Sequence, residues 1–181
     1  MIRLIAWKGS MKPARYKNYI IARTRNAEAE EVPWVSVPGL TSLTLPRPIV
    51  LVNGAFDLLH AGHMKLIFTA RRHADGGSLV CALDSDERVA KAKGVGRPIF
   101  TYLERAAALG YMPIDYLVEI TSDNDIKKLV QILKPDLRVQ GSDYIDVPSK
   151  FPNINKVFVR SKGMRTSVII ERIKNARSDG V

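Results

Sequence analysis

The sequence of 181 residues contains one cysteine, Cys81, and only three histidines. A single cysteine cannot form an internal disulfide, and its place in an apolar run predicts a buried core residue in a reducing compartment, the cytoplasm. There is no apolar run of about 18 residues, the length that a membrane-spanning helix needs, so we expect no membrane segment. Hydrophobic residues still make up 46% of the chain, enough for a packed core.

Acidic residues are absent from the first 27 positions. Residues 1–47 hold eight Lys or Arg and three Glu, a net charge of +5 out of the +10 of the whole chain. Such a charge favours polyanions: nucleotide phosphates, nucleic acid or an acidic assembly partner. A basic start without acids is also typical of a mitochondrial transit peptide, but Pro13 interrupts the long amphipathic helix that such a peptide would form.

We interpret residues 1–48 as a basic N-terminal arm with a proline-rich linker, and residues 49–181 as the main domain. Residues 2–7 and 16–22 could form short strands or a short helix, whereas the prolines and glycine of residues 32–48 predict an extended linker. The arm would pack on its own domain as a hairpin lid, on a second copy in a homo-oligomer, or on a larger particle. Its tryptophans and tyrosines leave nucleic-acid binding open.

From Ile49 onward, short apolar runs alternate with segments of helical periodicity. The runs predict strands at 49–52, 79–83, 116–120, 137–140 and 156–159, and the periodic segments predict helices at 61–73, 86–93, 101–112, 123–133 and 166–176. Because these runs are short and do not alternate between apolar and polar residues, both faces of the strands should be covered. The pattern predicts an α/β fold: a doubly wound, Rossmann-like parallel sheet of about five strands, with helices on both faces and ligands beyond the carboxyl ends of the strands.

The loop after the first of these strands carries two of the three histidines. It reads Asn53-Gly54-Ala55-Phe56-Asp57-Leu58-Leu59-His60-Ala61-Gly62-His63. Gly54 would let the backbone approach a phosphate, and the start of the following helix favours an anion. His60 and His63 would share one face of that helix and donate hydrogen bonds to phosphate oxygens, with Gly62 leaving room between them. A zinc site is the alternative, but Asp57 alone does not complete its ligands.

The pattern Asn-Gly-x-Phe-Asp-x-x-His-x-Gly-His resembles the signature of the cytidylyltransferase-like nucleotidyltransferases. The resemblance covers residues 49–176 and is closest to the adenylyltransferase domain that makes ADP-heptose from heptose 1-phosphate, with the glycerol-3-phosphate cytidylyltransferases more distant. Further matching stretches follow in the same order: Asp84-Ser85-Asp86, Lys93-Gly94-Val95-Gly96-Arg97-Pro98, Glu104-Arg105, Lys134-Pro135-Asp136, Gly141-Ser142-Asp143-Tyr144 and the loop at 160–167.

This resemblance implies transfer of AMP or CMP from a nucleoside triphosphate to a sugar or polyol phosphate, with release of pyrophosphate. It implies catalytic roles for His60, His63 and Lys93, with Lys91 as a substitute for Lys93, and Mg²⁺ carried by the triphosphate rather than by protein ligands. The implied nucleotide-binding residues are Asn53, Gly54, Ala55, Phe56, Asp57, Gly62, Arg97, Arg160, Thr166 and Ser167. The implied acceptor-binding residues are Arg105, Gly141 and Asp143.

Two residues depart from the family pattern. Gln140 stands where the heptose enzymes usually have a lysine, which leaves the acceptor open, and Arg165 stands where a serine is usual. Thr166 and Ser167 also suit the plain role of helix caps. The heptose enzymes are often fused to a sugar kinase, which 48 residues cannot hold. A second hypothesis is therefore an assembly component of a larger particle, which retains the fold and is anchored by its basic arm.

Overall fold

The computed structural model describes residues 19–22, 34–36, 44–160, 163 and 165–178. The predicted segment at 2–7 lies outside this part of the chain. In chain order the elements are β1 (Tyr19–Ala22), β2 (Trp34–Ser36), β3 (Ile49–Gly54), α1 (Ala61–His73), β4 (Ser78–Asp84), α2 (Asp86–Lys93), α3 (Tyr102–Gly110), β5 (Tyr116–Ile120), α4 (Asp123–Leu133), β6 (Leu137–Gly141), a 3₁₀ turn (Ser142–Tyr144), β7 (Asn155–Val159) and α5 (Thr166–Ser178).

The strands form one sheet in the order β2-β1-β5-β4-β3-β6-β7. Strands β3 to β7 pair with one another in parallel, which confirms the predicted doubly wound sheet of five parallel strands. The chain runs outward from β3 through β4 to β5 and then returns to β6 on the other side of β3. At such a reversal the loops leave a crevice beyond the carboxyl ends of the strands, here between β3 and β6.

Both faces of the sheet are covered, as the apolar runs predicted. Val50, Val52 and Val139 pack with Ile67 of α1 on one face, whereas Leu51 packs with residues of α4 on the other. Cys81 is fully buried in the first of these clusters, in agreement with its predicted core position.

The helices begin at polar residues that the sequence marks. Ser85 accepts a hydrogen bond from the amide of Arg88 at the start of α2. Thr101 and Glu104 form the predicted capping box of α3, and Ser122 forms another at α4. These side chains satisfy amides that have no partner inside the helix, so they fix where each helix starts. In the described ranges, no helix combines the length and the apolar character needed to cross a bilayer.

The described part of the arm belongs to the sheet. β1 pairs antiparallel with β5, with Ile20 opposite Val118, and β2 pairs antiparallel with β1. The expectation of an extended linker throughout residues 32–48 was therefore wrong at Trp34–Ser36, because pairing with β1 gives these backbone groups their hydrogen-bond partners. The two strands extend the sheet edge beside β5, away from the crevice between β3 and β6.

The last residues before β3 already pack on the domain. Leu45 is buried with residues of the second cluster, and Ser78 donates a hydrogen bond to the carbonyl of Pro46 at 2.8 Å. Arg47 forms an ion pair with Asp136 at 2.8 Å. We therefore propose that the boundary between the arm and the packed domain lies near residue 44 rather than at residue 48.

Candidate active site

A cleft of about 1190 Å³ opens at the carboxyl ends of the parallel strands. All but two of the predicted site residues line it: Asn53, Gly54, Ala55, Phe56, Asp57, His60, Gly62, His63, Lys93, Arg97, Gly141, Asp143, Thr166 and Ser167. The two that do not are Arg105 and Arg160. The fold thus brings together loops that are up to about a hundred residues apart in the sequence, as expected where parallel strands end at one edge.

The two histidines stand together at the start of α1. His60 is the N-cap residue of this helix, and its Nδ1 atom accepts the backbone N–H of Gly62 at 3.1 Å. The ring of His63 stacks on that of His60, with 3.8 Å between the centroids, and the tilted ring of Phe56 also packs on His63, with 5.3 Å between the centroids. The pair is therefore held at a helix N-terminus, where an anion is favoured.

Both imidazoles favour the neutral form at neutral pH. Burial lowers the pKa of His60. Burial, helped by the neighbouring His60 and Lys93, lowers the pKa of His63 to about 4. Because Nδ1 of His60 accepts a hydrogen bond, the proton of its neutral ring sits on Nε2. That N–H is a donor whose orientation is set before any ligand arrives.

The turn that presents this pair contains two residues in the left-handed region. Phe56 has a φ of 48° and Leu58 has a φ of 49°. Each such residue costs about 1 kcal/mol or more, so the surrounding structure must hold the turn in place. A Cβ added at Gly54 would only make ordinary contact with the Phe56 ring at 3.6 Å. The turn itself therefore does not require glycine at this position, and the expected approach of its backbone to a phosphate stays a prediction.

Asp57 holds the turn through its carboxylate. The carboxylate accepts hydrogen bonds from Arg97 Nε at 2.9 Å, from the amide of Ile99 at 3.0 Å and from the amide of Phe100 at 3.0 Å. Burial alone would raise the pKa of Asp57, but these hydrogen bonds outweigh burial and lower it. Since the side chain is only 1% exposed, its geometry fits anchoring of residues 97–100, and its expected contact with a nucleotide stays a prediction.

Arg105, which was expected to bind the acceptor, is a buried residue. Its side chain is 0% exposed, and its guanidinium donates to the carbonyl of Ala55 at 2.5 Å, to the carbonyl of Phe100 at 3.1 Å and to Asp86 Oδ1 at 2.7 Å. A guanidinium with no exposed surface cannot touch an acceptor in this conformation, so burial argues against the expected acceptor-binding role. Arg105 instead ties the turn after β3 to α2 and α3.

The start of α5 closes the other side of the turn. Thr166 donates its hydroxyl hydrogen to the carbonyl of Asp57 at 2.8 Å, so this hydrogen is not available to a phosphate in the same conformation. The hydroxyl of Ser167 lies at the exposed start of the helix and lines the cleft. Arg165 pairs with Asp143 at 2.8 Å, and the exposed Arg160 uses its carbonyl to accept from Lys65 Nζ at 3.0 Å.

Within the described residues, no group of three or more His, Cys, Asp or Glu side chains converges on a point where a metal ion could bind. The zinc alternative for the histidine pair therefore finds no third ligand in this part of the chain. The cleft instead offers uncharged and cationic hydrogen-bond donors, which suit phosphate groups.

The sequence profile of the cytidylyltransferase-like family matches residues 51–177. The chain belongs to this family. It is 40% identical over 137 residues to "Bifunctional protein HldE" of Helicobacter pylori, covering 74% of this chain and 29% of that protein. It is 36% identical over 135 residues to the protein of the same name from Campylobacter jejuni, covering 72% and 29%. The chain thus spans less than a third of the length of these relatives.

Two solved structures are also similar. The lipopolysaccharide core biosynthesis protein of Thermoplasma volcanium has a TM-score of 0.49 and 22% identity, covering 67% of this chain and 100% of that one. The pantothenate synthetase of Thermus thermophilus has a TM-score of 0.47 and 16% identity, covering 69% and 60%.

The cytidylyltransferase-like motifs do not mark every polar residue of the cleft. Arg138 and Lys156 line it as well and were missed, and Asp84, which lies in a matching stretch, was given no role. Burial raises the pKa of Asp84, although Arg88 offsets part of this effect. The signal for Arg138 was present, since a charged residue interrupted an apolar strand that was predicted to be covered on both faces.

Proposed function

We propose that this protein is a nucleotidyltransferase that moves AMP from ATP onto the phosphate of a sugar 1-phosphate, with heptose 1-phosphate as the first acceptor to test. CTP and a polyol phosphate such as glycerol 3-phosphate are the alternatives. The proposal rests above all on the His60–His63 pair, two neutral imidazoles stacked at 3.8 Å at the start of a helix. The motif-level resemblance to the adenylyltransferases that make ADP-heptose supports the choice of ATP and heptose.

The reaction needs little covalent work from the protein. An oxygen of the acceptor phosphate attacks the α-phosphorus of the nucleotide, the bond to the bridging oxygen breaks, and pyrophosphate leaves. Catalysis then depends on holding both substrates in line and on stabilising the charge that builds on the α-phosphate. In our proposal the Nε2–H of His60 and the ring of His63 supply hydrogen bonds to those oxygens, in an orientation fixed before the substrate binds.

Lys93 adds a mobile positive charge to the same cleft. It ends α2, lines the cleft and is exposed. The loop that follows it is fastened at Arg97 by the ion pair with Asp57 at 2.8 Å. A lysine on an anchored loop can follow the triphosphate as pyrophosphate leaves, because its ammonium is a point charge on a flexible stem. Lys91 also lines the cleft and is the substitute.

Mg²⁺ belongs to the substrate in this scheme. The absence of a carboxylate cluster in the described residues fits a cation that arrives on the triphosphate and keeps several waters. The leaving β- and γ-phosphates would then meet the first turn of α5, where backbone amides have no partner within the helix and Ser167 offers a hydroxyl. A reducing compartment, the cytoplasm, suits this chemistry and the buried Cys81.

The test is a pyrophosphate-release assay on the purified chain. ATP and CTP are each combined with heptose 1-phosphate and with glycerol 3-phosphate, with Mg²⁺ present. We expect release with ATP and heptose 1-phosphate, and formation of the nucleoside-diphosphate sugar by mass spectrometry. Folded protein that binds Mg–ATP but gives no product with any of a broad panel of phosphorylated acceptors would contradict the proposal.

A second candidate is an assembly role for the arm, alone or together with catalysis. One observation favours it: β2 ends the sheet, and an edge strand presents backbone groups that can pair with another chain. A homo-oligomer, an acidic protein partner and nucleic acid are the partners that the basic arm would suit. Size-exclusion chromatography with light scattering, and retention on a nucleic-acid column at several salt concentrations, separate these cases.

A further inference from the structure

Two cationic residues lie side by side on the last two strands of the sheet. Arg138 of β6 is directly opposite Lys156 of β7 in the parallel register, and both line the cleft. Neighbouring strands are about 4.8 Å apart, and paired residues point to the same face. Like charges in directly opposite positions destabilise a sheet unless something offsets them.

The described residues supply no carboxylate to offset them. Arg138 is 6% exposed, and one of its nitrogens, Nη2, donates to the side-chain oxygen of Asn53 at 2.8 Å. Its guanidinium lies over the ring of Phe151 at 5.1 Å, whereas its Nε atom is buried without a hydrogen-bond partner among the described residues. Burial lowers the pKa of Arg138. This arginine is a buried cation with unused donors.

Lys156 is half-buried and forms no ion pair within the described part of the chain. A buried cation without a counter-charge costs free energy. Charged groups with such unfavourable surroundings cluster at functional sites, where a ligand can offset the cost. A phosphate group carries the charge and the acceptor oxygens that a guanidinium and an ammonium recognise together.

We propose that Arg138 and Lys156 form the binding site for the phosphate of the acceptor substrate. The inference rests on the proposed nucleotidyl transfer, and it names the residues that bind the group whose oxygen attacks. Arg138, which lines the cleft, would contact the phosphate with its guanidinium, and Lys156 would balance the second negative charge.

The position of the pair favours the acceptor phosphate over the phosphates of the nucleotide. In the proposed function, the hydrogen-bond donors for the triphosphate lie at the starts of α1 and α5, around His60, His63 and Ser167. Val139 packs with residues of α1, so Arg138, the residue before it in the strand, points to the opposite face of the sheet. Its partner Asn53 lies at the start of the turn that leads to the histidines. An anion bound at Arg138 would therefore lie close to the α-phosphate that the histidines would contact.

The same pair accounts for the missing family lysine. Gln140 follows Arg138 by two residues, so it lies on the same face of β6 and also lines the cleft. A neutral amide there cannot balance a phosphate, but a positive charge two residues earlier on the same face can. The positive charge at this end of the cleft is therefore retained, at a different position.

The first experiment separates acceptor binding from nucleotide binding. Arg138→Met and Lys156→Gln are compared with Arg72→Met and Lys128→Gln, which remove the same charges at exposed positions outside the cleft. We expect each cleft variant to raise the KM for heptose 1-phosphate about 10- to 100-fold, with Arg138→Lys in between and ATP affinity by calorimetry within about twofold of wild type. Unchanged acceptor KM, or a loss confined to ATP affinity, would overturn the proposal.

The second experiment does not need turnover. Orthophosphate is titrated by calorimetry into protein already saturated with Mg²⁺ and a non-hydrolysable ATP analogue, so that the triphosphate site is filled. We expect one orthophosphate per chain for the wild type, weaker by about 10-fold or more in Arg138→Met. If orthophosphate binds in this way but no acceptor is converted, the proposed function fails and the site stands. If acceptor is converted but Arg138→Met binds orthophosphate normally, the site fails and the function stands.

Stability distinguishes binding from a merely structural role. A buried cation that awaits a ligand lowers the stability of the empty protein, so Arg138→Met should keep or raise the melting temperature in phosphate-free buffer. A lower melting temperature together with an unchanged KM would mean that Arg138 only supports the fold. That result would also overturn the proposal.

Discussion

The Nδ1 atom of His60 accepts the backbone N–H of Gly62 at 3.1 Å, so one residue both caps helix α1 and faces the cleft. The cap fixes the ring and leaves the proton of the neutral imidazole on Nε2. One ring nitrogen of His60, Nδ1, therefore caps the helix, and the other, Nε2, is the proposed hydrogen-bond donor to the substrate. A substitution can keep the first role and remove the second.

His60→Asn is the substitution that separates the two roles. Asparagine is a favoured N-cap residue, so its side chain should still accept the Gly62 amide and keep the helix start. It cannot place a donor where Nε2 stood, and we expect kcat to fall about 100-fold, as for the loss of one transition-state donor. The assay is pyrophosphate release at saturating substrates, together with a urea unfolding curve.

The matched control is His73→Asn, which changes the third histidine at the exposed end of α1. It should keep both kcat and stability. Full activity in a folded His60→Asn protein would show that the Nε2–H is not a transition-state donor.

The low pKa of His63 predicts a pH dependence of stability. An unperturbed histidine has a pKa of about 6.5, and that of His63 is about 4 in the folded protein. Because the unfolded chain binds the proton more tightly, stability is highest above about pH 6.5 and falls as the pH drops toward 4. The loss from this residue reaches about 3 kcal/mol by pH 4.

The measurement is urea unfolding of wild type and His63→Gln at half-unit steps from pH 7 to pH 4. The free energy of unfolding should fall more steeply with decreasing pH in the wild type than in the variant. Equal slopes would mean that the ring is not held neutral by burial.

Arg105 predicts a loss of stability rather than of acceptor affinity. Arg105→Met removes three hydrogen bonds from a fully buried side chain, among them that to Ala55, and should cost about 2–4 kcal/mol. The turn before the histidines should loosen as a consequence and lower kcat. Chemical denaturation and steady-state kinetics measure the two effects. A stable variant with only a raised acceptor KM would restore the acceptor-binding role that burial argues against.

The positions of the parallel strands along the chain followed from the sequence because apolar runs and helix caps are local signals, and the location of the cleft followed from the doubly wound pattern. The glycine-histidine turn was also predictable, since its residues are contiguous. The hydrogen bonds of Arg105 to the protein backbone could not be predicted in this way. An arginine in a motif can bind either a ligand or backbone carbonyls, and only its burial in the structure distinguishes the two cases. The pairing of Arg138 with Lys156 depends on strand register, which arises when distant segments meet in the sheet.

Thr166 and Ser167 carry neighbouring hydroxyl groups in different surroundings. The Thr166 hydroxyl bonds to the Asp57 carbonyl, whereas Ser167 is exposed and lines the cleft, so substitutions of the two can be compared directly. Thr166→Val removes the hydrogen bond to the Asp57 carbonyl and should lower stability by about 1 kcal/mol while disturbing the turn. Ser167→Ala removes an exposed hydroxyl and should leave stability unchanged but raise the KM for Mg–ATP by about 10-fold, if this hydroxyl holds the leaving phosphates. Thermal unfolding and ATP titrations test both. The reverse pattern would return the phosphate role to Thr166.

Removal of the arm tests its contribution to the sheet. A chain that begins at Thr44 keeps Leu45, the Pro46 carbonyl and the Arg47–Asp136 ion pair but loses β1, which covers the edge of β5. We expect the truncated protein to retain its kcat, because β5 and β4 separate β1 from β3, whose loop carries the histidine pair. We also expect it to aggregate more readily, because an uncovered edge strand pairs with other chains. Light scattering during storage and the pyrophosphate assay measure the two outcomes. If the full chain is an oligomer and the truncated chain is a stable, active monomer, the arm is the assembly element; if neither oligomeric state nor solubility changes, the arm has no such role.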